Sequence, residues 1–279
     1  MSDSRTSPSA PRPVSATTAA APKIHVRGLS KLFTHHGGEV VLAIEDVSFA
    51  VADGEFVSVV GPSGCGKSTM LMCLAGLDHP TRGEVLLDGK LIQAPGPDTG
   101  IVFQEYALFP WRDVIGNVVY GLEGAGVPRD ERRRIAREYL QLVGLQGFEH
   151  HYPYQLSGGM RQRVALARAL VMDPKVLLMD EPFGALDSLT RRQMQQELVR
   201  IVEATRKTVV FITHSISEAV FLSDRVVLLT SRPACVKTEV SVQVPRPRNL
   251  YAPACVEIAA QLERLLWEEF QSANPPARG

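Results

Sequence analysis

The stretch GPSGCGKST, from Gly61 to Thr69, narrows what this chain can fold into more than any other. It matches G-x-x-x-x-G-K-[ST], in which glycines let the backbone curl until successive N–H groups point into one hollow. Such a hollow needs a strand leading in and a helix leading out, because the helix start adds its positive dipole end. Both are present. GEFVSVVG is a short apolar run ending in glycine, and KSTMLMCLAGL puts Met70, Leu71 and Leu74 on one side of a helix. Strand, glycine-rich turn and helix form a βα unit, which predicts an α/β fold with a parallel sheet. The residues expected to bind a nucleoside triphosphate are therefore Gly61, Pro62, Ser63, Gly64, Cys65, Gly66, Lys67, Ser68 and Thr69. Lys67 would reach the β- and γ-phosphates and Ser68 would hold Mg2+.

VLLMDEP, from Val176 to Pro182, is an apolar run ending in two carboxylates. A run apolar on both faces suits an interior strand of a parallel sheet, and ligands gather at the C-terminal ends of such strands. Asp180 there can reach the Mg2+ shell. Glu181 faces elsewhere and is placed to orient or deprotonate a water. Gln104 after GIVF and His214 after VVFIT also stand at strand ends; alone, each reads as an ordinary loop residue.

The rest of the chain fits the same frame. KIHVRGLSKLF and VVLAIEDVSFAV read as strands, and GEVLLDGKLI as a hairpin turning at Asp88-Gly89. From Asp113 to about Gly147 apolar residues fall three and four apart, as in helices. Strands return at KVLLMDEP, TVVFITHS and DRVVLLTS. The chain ends in an amphipathic helix, VEIAAQLERLLWEEF, whose Ile258, Leu262, Leu265, Leu266 and Phe270 are expected to pack on the body. Residues 1–22 carry little to bury and are expected to be a disordered tail.

Thirty basic side chains balance thirty acidic ones, so no global field favours nucleic acid. The four cysteines have no CxxC spacing, which argues against zinc or a disulfide framework and fits a reducing compartment. No run approaches the roughly 18 uncharged apolar residues that span a bilayer. SATTAAAP is too short and weakly apolar for a signal peptide. A soluble, cytosolic protein is expected, with any membrane role reached through a partner. His35-His36 and His150-His151 lack ligand spacing and are read as surface loop residues.

LSGG, at Leu156 to Gly159, raises a different question. An isolated Ser-Gly-Gly is a capped helix start. Here MRQRVALARALV spaces Met160, Val164, Ala167 and Val171 toward a core, with Arg161 beside the glycines and off that stripe. Free N–H groups, a hydroxyl and a nearby cation make a phosphate surface. With one phosphate loop already in the chain, the anion for this second surface could belong to another molecule.

In this order, GPSGCGKST, VFQE, LSGGMRQR, LLMDEPFGALD and FITHS resemble the ATP-binding subunit of ABC transporters, from about Lys23 to Pro233. The resemblance implies a P-loop NTPase (RecA-like) core with an antiparallel β subdomain and an inserted α-helical subdomain at about 106–160. Residues 23–233 would be the ATPase domain and 234–279 a C-terminal extension. It implies a homodimer whose two subunits face head to tail, each ATP lying between the phosphate loop of one copy and Ser157, Gly158, Gly159 and Gln162 of the other. Phe33 would stack on adenine, Gln104 would touch Mg2+ and the transmembrane partner, and Asp187 would lie at the dimer seam. Glu181 would be the catalytic carboxylate and His214 the histidine contacting the γ-phosphate. Phe33 stands where many relatives have tyrosine, Met160 where glutamine is commoner, and Ser215 where aspartate is usual; none of these removes a group assigned to phosphate or metal.

EYALFPWRDVIGNVVYGL, with Trp111, resembles the nitrate/sulfonate/taurine importer group, as do THSISEAVFLSDRVVLL and PRPRN. Phe109 and Trp111 beside Gln104 would suit a groove for a permease helix, against the plainer reading of core packing. The expectation is an ATPase on the cytoplasmic side of the cell membrane, serving permease subunits and, indirectly, an extracytoplasmic solute-binding protein. Competing classes are a soluble ABC ATPase without a membrane partner and a P-loop kinase, which has no reason to contain LSGG.

Overall fold

The computed structural model describes residues 21–34 and 38–273. Most of the expected tail and the pair His35-His36 lie outside the described residues.

Two sheets organise the chain. The first is antiparallel, in the order β2-β1-β4-β5. Its strands are β1 (Ile24–Thr34), β2 (Val40–Val51), β4 (Arg82–Leu87) and β5 (Lys90–Leu91). The β4-β5 turn is the expected one: Asp88 and Gly89 have φ of +48° and +73°, the paired left-handed geometry of a tight hairpin.

The second sheet has six strands in the order β10-β9-β3-β8-β7-β6. They are β3 (Phe56–Val60), β6 (Thr99–Val102), β7 (Val176–Asp180), β8 (Thr208–Thr213), β9 (Arg225–Leu229) and β10 (Val236–Ser241). All pair in parallel except β10, an antiparallel edge on β9. Every residue of β3, β7 and β8 is buried, as strands covered on both faces must be. Alternation along β7 sends Val176 and Leu178 to one face and Leu177 and Met179 to the other.

The first face packs on the antiparallel sheet and on α1 (Lys67–Leu74), joining Ile44, Val59, Met70 and Leu71. The second lies under α2 (Val114–Val118), α3 (Tyr120–Gly124), α4 (Arg129–Leu142), α5 (Gly158–Leu170) and α6 (Ser188–Thr205). At its centre Phe211 is fully buried between the rings of Phe56 and Phe183, at 5.8 and 5.7 Å. Truncating such a ring to alanine costs about 3–5 kcal/mol.

The helical block expected at about 106–160 holds α2, α3 and α4 and reaches the start of α5. Helix α5 runs unbroken through 160, meeting α2 and α4 near its start and β6 near its end. The expected break at 233 is likewise bridged. Ala234 pairs with Ile44 in the antiparallel sheet, and β10 completes the main one. A third cluster joins α7 (Ile216–Leu222) to α8 (Pro253–Ala273) through Val220 and Leu262. Ile258, Leu265 and Leu266 pack there as expected. Phe270 does not: it is 53% exposed and stacks on Trp267. Buried Arg248 stitches α7 to the strand region by donating to carbonyls of Val220, Ser223, Val242 and Val244.

Candidate nucleotide site

The phosphate loop leaves the C-terminal end of β3 and enters α1 at Gly66, whose φ is +125°. A Cβ there would lie 3.1 Å from Ile44 and 3.2 Å from the Ala43 carbonyl, so only glycine lets the loop curl against β2. Lys67 is 5% exposed and folds back, donating to the carbonyls of Gly61 and Pro62 at 2.9 Å each. Cys65 is buried, with its side chain against the position a Cβ on Gly61 would take.

This loop forms one wall of a cleft of about 470 Å3. Ser63, Gly64, Gly66, Lys67, Ser68 and Thr69 line it, facing Phe33, Thr34, Val41 and Ala43 of the antiparallel sheet. Glu181 and Arg232 complete its mouth. The Phe33 ring, 37% exposed, lines the same cleft as the loop and offers an aromatic face to it.

Asp180 ends β7, 7% exposed, and accepts a hydrogen bond from Ser68 Oγ at 3.2 Å. Burial pushes its carboxyl above the usual range; the Ser68 bond opposes this and the neighbouring Glu181 charge adds to it. A hydroxyl and a buried carboxylate side by side are hard oxygen donors of the kind Mg2+ takes. Glu181 follows in the left-handed region, φ +39°, a conformation that costs a side-chain residue on the order of 1 kcal/mol or more. That turn swings its carboxylate away from Asp180 and toward His214, whose Nδ1 lies 2.8 Å from Glu181 Oε2.

The flanks of His214 are pinned by Glu218, a residue the motif reading missed. Its buried carboxylate accepts from Thr213 Oγ1 at 2.6 Å, and Ser215 caps α7 by accepting from Glu218 N. Burial pushes the Glu218 carboxyl up, and the Thr213 bond opposes that. The signal was legible: Ser215-x-x-Glu218 has the spacing of a capping box. Arg232, also missed, donates through Nε and Nη2 to the Gly64 carbonyl at 3.2 and 2.7 Å. Nothing in its local sequence marks it.

Gln104 is exposed after β6 and does not line the cleft; its Nε2 lies over Gly184, beside the Glu181 turn. Ser157 is the exposed N-cap of α5, its Oγ accepting from Met160 N at 3.3 Å, and it too is outside the cleft. Gln162 requires correction. One turn into α5 it points inward, 1% exposed, so it cannot join Ser157 on the exposed surface. Asp187 caps α6, accepting from Leu189 N and Thr190 N, and the Thr190 backbone bond leads in holding its carboxyl below the usual range.

An aromatic patch follows Gln104 in the sequence. The Phe109 ring sits 5.6 Å from Trp111 and 4.6 Å from Tyr120, with the Arg112 guanidinium over Tyr120 at 5.0 Å. Trp111 is 73% exposed, which removes the core-packing reading for that ring. Buried Asn117 fixes the loop beneath, accepting from Phe109 N and donating to the carbonyls of Phe109, Arg112 and Asp113.

Among the described residues no helix is long and apolar enough to cross a membrane. Residues 44–184 match the ABC transporter family. An uncharacterized ABC transporter ATP-binding protein of Methanocaldococcus jannaschii is 51% identical over 88% of this chain and 92% of its own length. The nitrate import ATP-binding protein NrtD of Synechococcus elongatus is 47% identical over 88% and 89%. The taurine import ATP-binding protein TauB of Rhizobium johnstonii is 53% identical over 74% and 79%. A solved ATP-binding cassette, dimeric in a post-hydrolysis state with ADP and Pi, superposes with a TM-score of 0.69 at 36% identity. It covers 80% of this chain and all of its own. With a phosphate loop, a buried Asp180 and a Glu181–His214 pair at one cleft, the chain belongs to the ABC transporter family as an ATP-binding, ATP-hydrolysing subunit.

Proposed function

We propose that this chain energises a membrane importer for a small solute of the nitrate, sulfonate or taurine kind, working at the cytoplasmic face of the membrane on a separate permease. The observation that carries the catalytic part is the Glu181–His214 contact at the mouth of the cleft. ATP lies with its base on Phe33 and its phosphates in the Gly61–Thr69 hollow. Lys67 leaves its carbonyl partners and offsets charge on the β- and γ-phosphates. Ser68 and Asp180, with Gln104, would hold Mg2+, which would supply further charge neutralisation. Glu181 orients a water in line with the γ-phosphate and takes its proton, while His214 holds the carboxylate and faces the transferred group.

The chain supplies one half of each site. Ser157, exposed, and Gly158, half-buried, stand at the N-terminus of α5, where they meet the nucleotide of a second copy arranged head to tail. The patch of Phe109, Trp111 and Tyr120 receives a permease helix. The solute itself is chosen by the permease and an extracytoplasmic binding protein.

Glu181→Gln tests the catalytic assignment. It should bind ATP, accumulate as a dimer, and hydrolyse about 10²–10⁴-fold more slowly; turnover near that of the parent would remove Glu181 from its role. A soluble ATPase without a membrane partner is the rival reading. Recovery of a permease with this chain from detergent-solubilised membranes separates the two.

A further inference from the structure

Arg232 faces the cleft yet has no part in the chemistry above. It stands on the loop between β9 and β10, and that loop is stitched into the cleft wall. Ala234 N donates to the Ala43 carbonyl and Glu45 N to the Ala234 carbonyl, both at 2.9 Å. On the other side Ser231 N donates to Glu269 of α8 at 3.3 Å, and Lys237 holds that carboxylate at 2.9 Å. The position of Arg232 is therefore set from two directions before any ligand arrives.

Its charge is not neutralised. Arg225 carries Glu55 and Glu239, and Arg134 carries Glu131 and Glu138. Arg232 pairs with no carboxylate among the described residues, although it is exposed beside a cleft built for a polyanion. Nε and Nη2 are committed to the Gly64 carbonyl, which leaves Nη1 free to donate. A guanidinium anchored through one edge and open on another is preorganised for a phosphate oxygen.

We propose that Arg232 is a nucleotide-binding residue: it braces the phosphate loop through Gly64 and sets its free Nη1 edge against the anionic part of bound ATP or ADP. This rests on the cleft being the ATP site. The alternative is a tie to Gly64 with no ligand contact, and the two differ in their response to charge.

Calorimetry on the full chain with Mg2+ and either ATP or ADP tests it, comparing the parent with Arg232→Gln and Arg232→Lys at low and high salt. Arg232→Gln should weaken both nucleotides about tenfold. Arg232→Lys, which keeps the charge and loses the fork, should recover only part of that loss. The gap between parent and Gln variant should shrink as salt rises. Nucleotide-free melting temperatures should stay with the parent; should the Gln variant lose its fold, the parent–Lys comparison and its salt dependence still decide. Parent-like affinity in Arg232→Gln overturns the proposal, as do equal, salt-independent losses in both variants. If the parent itself binds neither nucleotide, the reading of the cleft fails first and the proposal falls with it.

Discussion

The phosphate loop and the start of α5 both offer backbone N–H groups to an anion, yet they are built differently. Around the loop the chain supplies a cleft, an aromatic wall, a buried cation in Lys67, Glu181 at its mouth and a buried Asp180 behind Ser68. Around Ser157 it supplies a capped helix end on an open surface, with no opposing wall. A helix start that binds an anion by itself needs nothing more than its own N–H groups and dipole. One that must discriminate a triphosphate needs walls, and here they have to come from another molecule. The contrast is what the proposed function requires: affinity for ATP residing in one region, and the other acting only when two copies meet.

Breaking that division gives the largest expected effect. Ser157→Arg, on the exposed surface, should leave ATP affinity of the single chain unchanged and lower hydrolysis about a hundredfold; a fall in single-chain affinity would collapse the distinction. Lys67→Met should do the converse, lowering ATP affinity about tenfold or more before any dimer forms, as measured by calorimetry. Asp187→Ala removes a helix cap and should lower the denaturant midpoint of unfolding slightly, with nucleotide binding retained.

Asp180→Asn should give the smallest shift, with the opposite sign. Burial raises the folded-state carboxyl above its unfolded value, so the ionised group destabilises the nucleotide-free chain at neutral pH. The variant should melt higher at neutral pH. Its advantage should fade as pH falls through the raised folded value toward the unfolded one, because the parent then takes up its proton. A gain that persists unchanged into acid would assign the effect to packing instead.

Much of this was legible because the relevant signals are local. The glycine spacing of the loop, the full burial of β3 and β7 and the Asp88-Gly89 turn each follow from a few adjacent residues. What escaped depends on contacts between distant segments. Arg232 meets Gly64 across 168 positions, and no periodicity announces such a meeting. Gln162 was misplaced because a signature read as a string takes no account of helical facing: one turn beyond Gly158 the side chain turns into the core. Phe270 fell on the apolar stripe of α8, but the cluster it should have joined ends near Leu266, so its ring stays at the surface.

The two glycines after Ser157 are also held from within their own chain. A Cβ on Gly158 would lie 3.1 Å from Leu186, and one on Gly159 would lie 2.8 Å from Thr190. Leu186 and Thr190 flank the start of α6, just beyond the turn that carries Glu181. The start of α5 is thus seated on the segment that follows Glu181. A side chain placed at either glycine would therefore press on the segment that leads from Glu181 into α6.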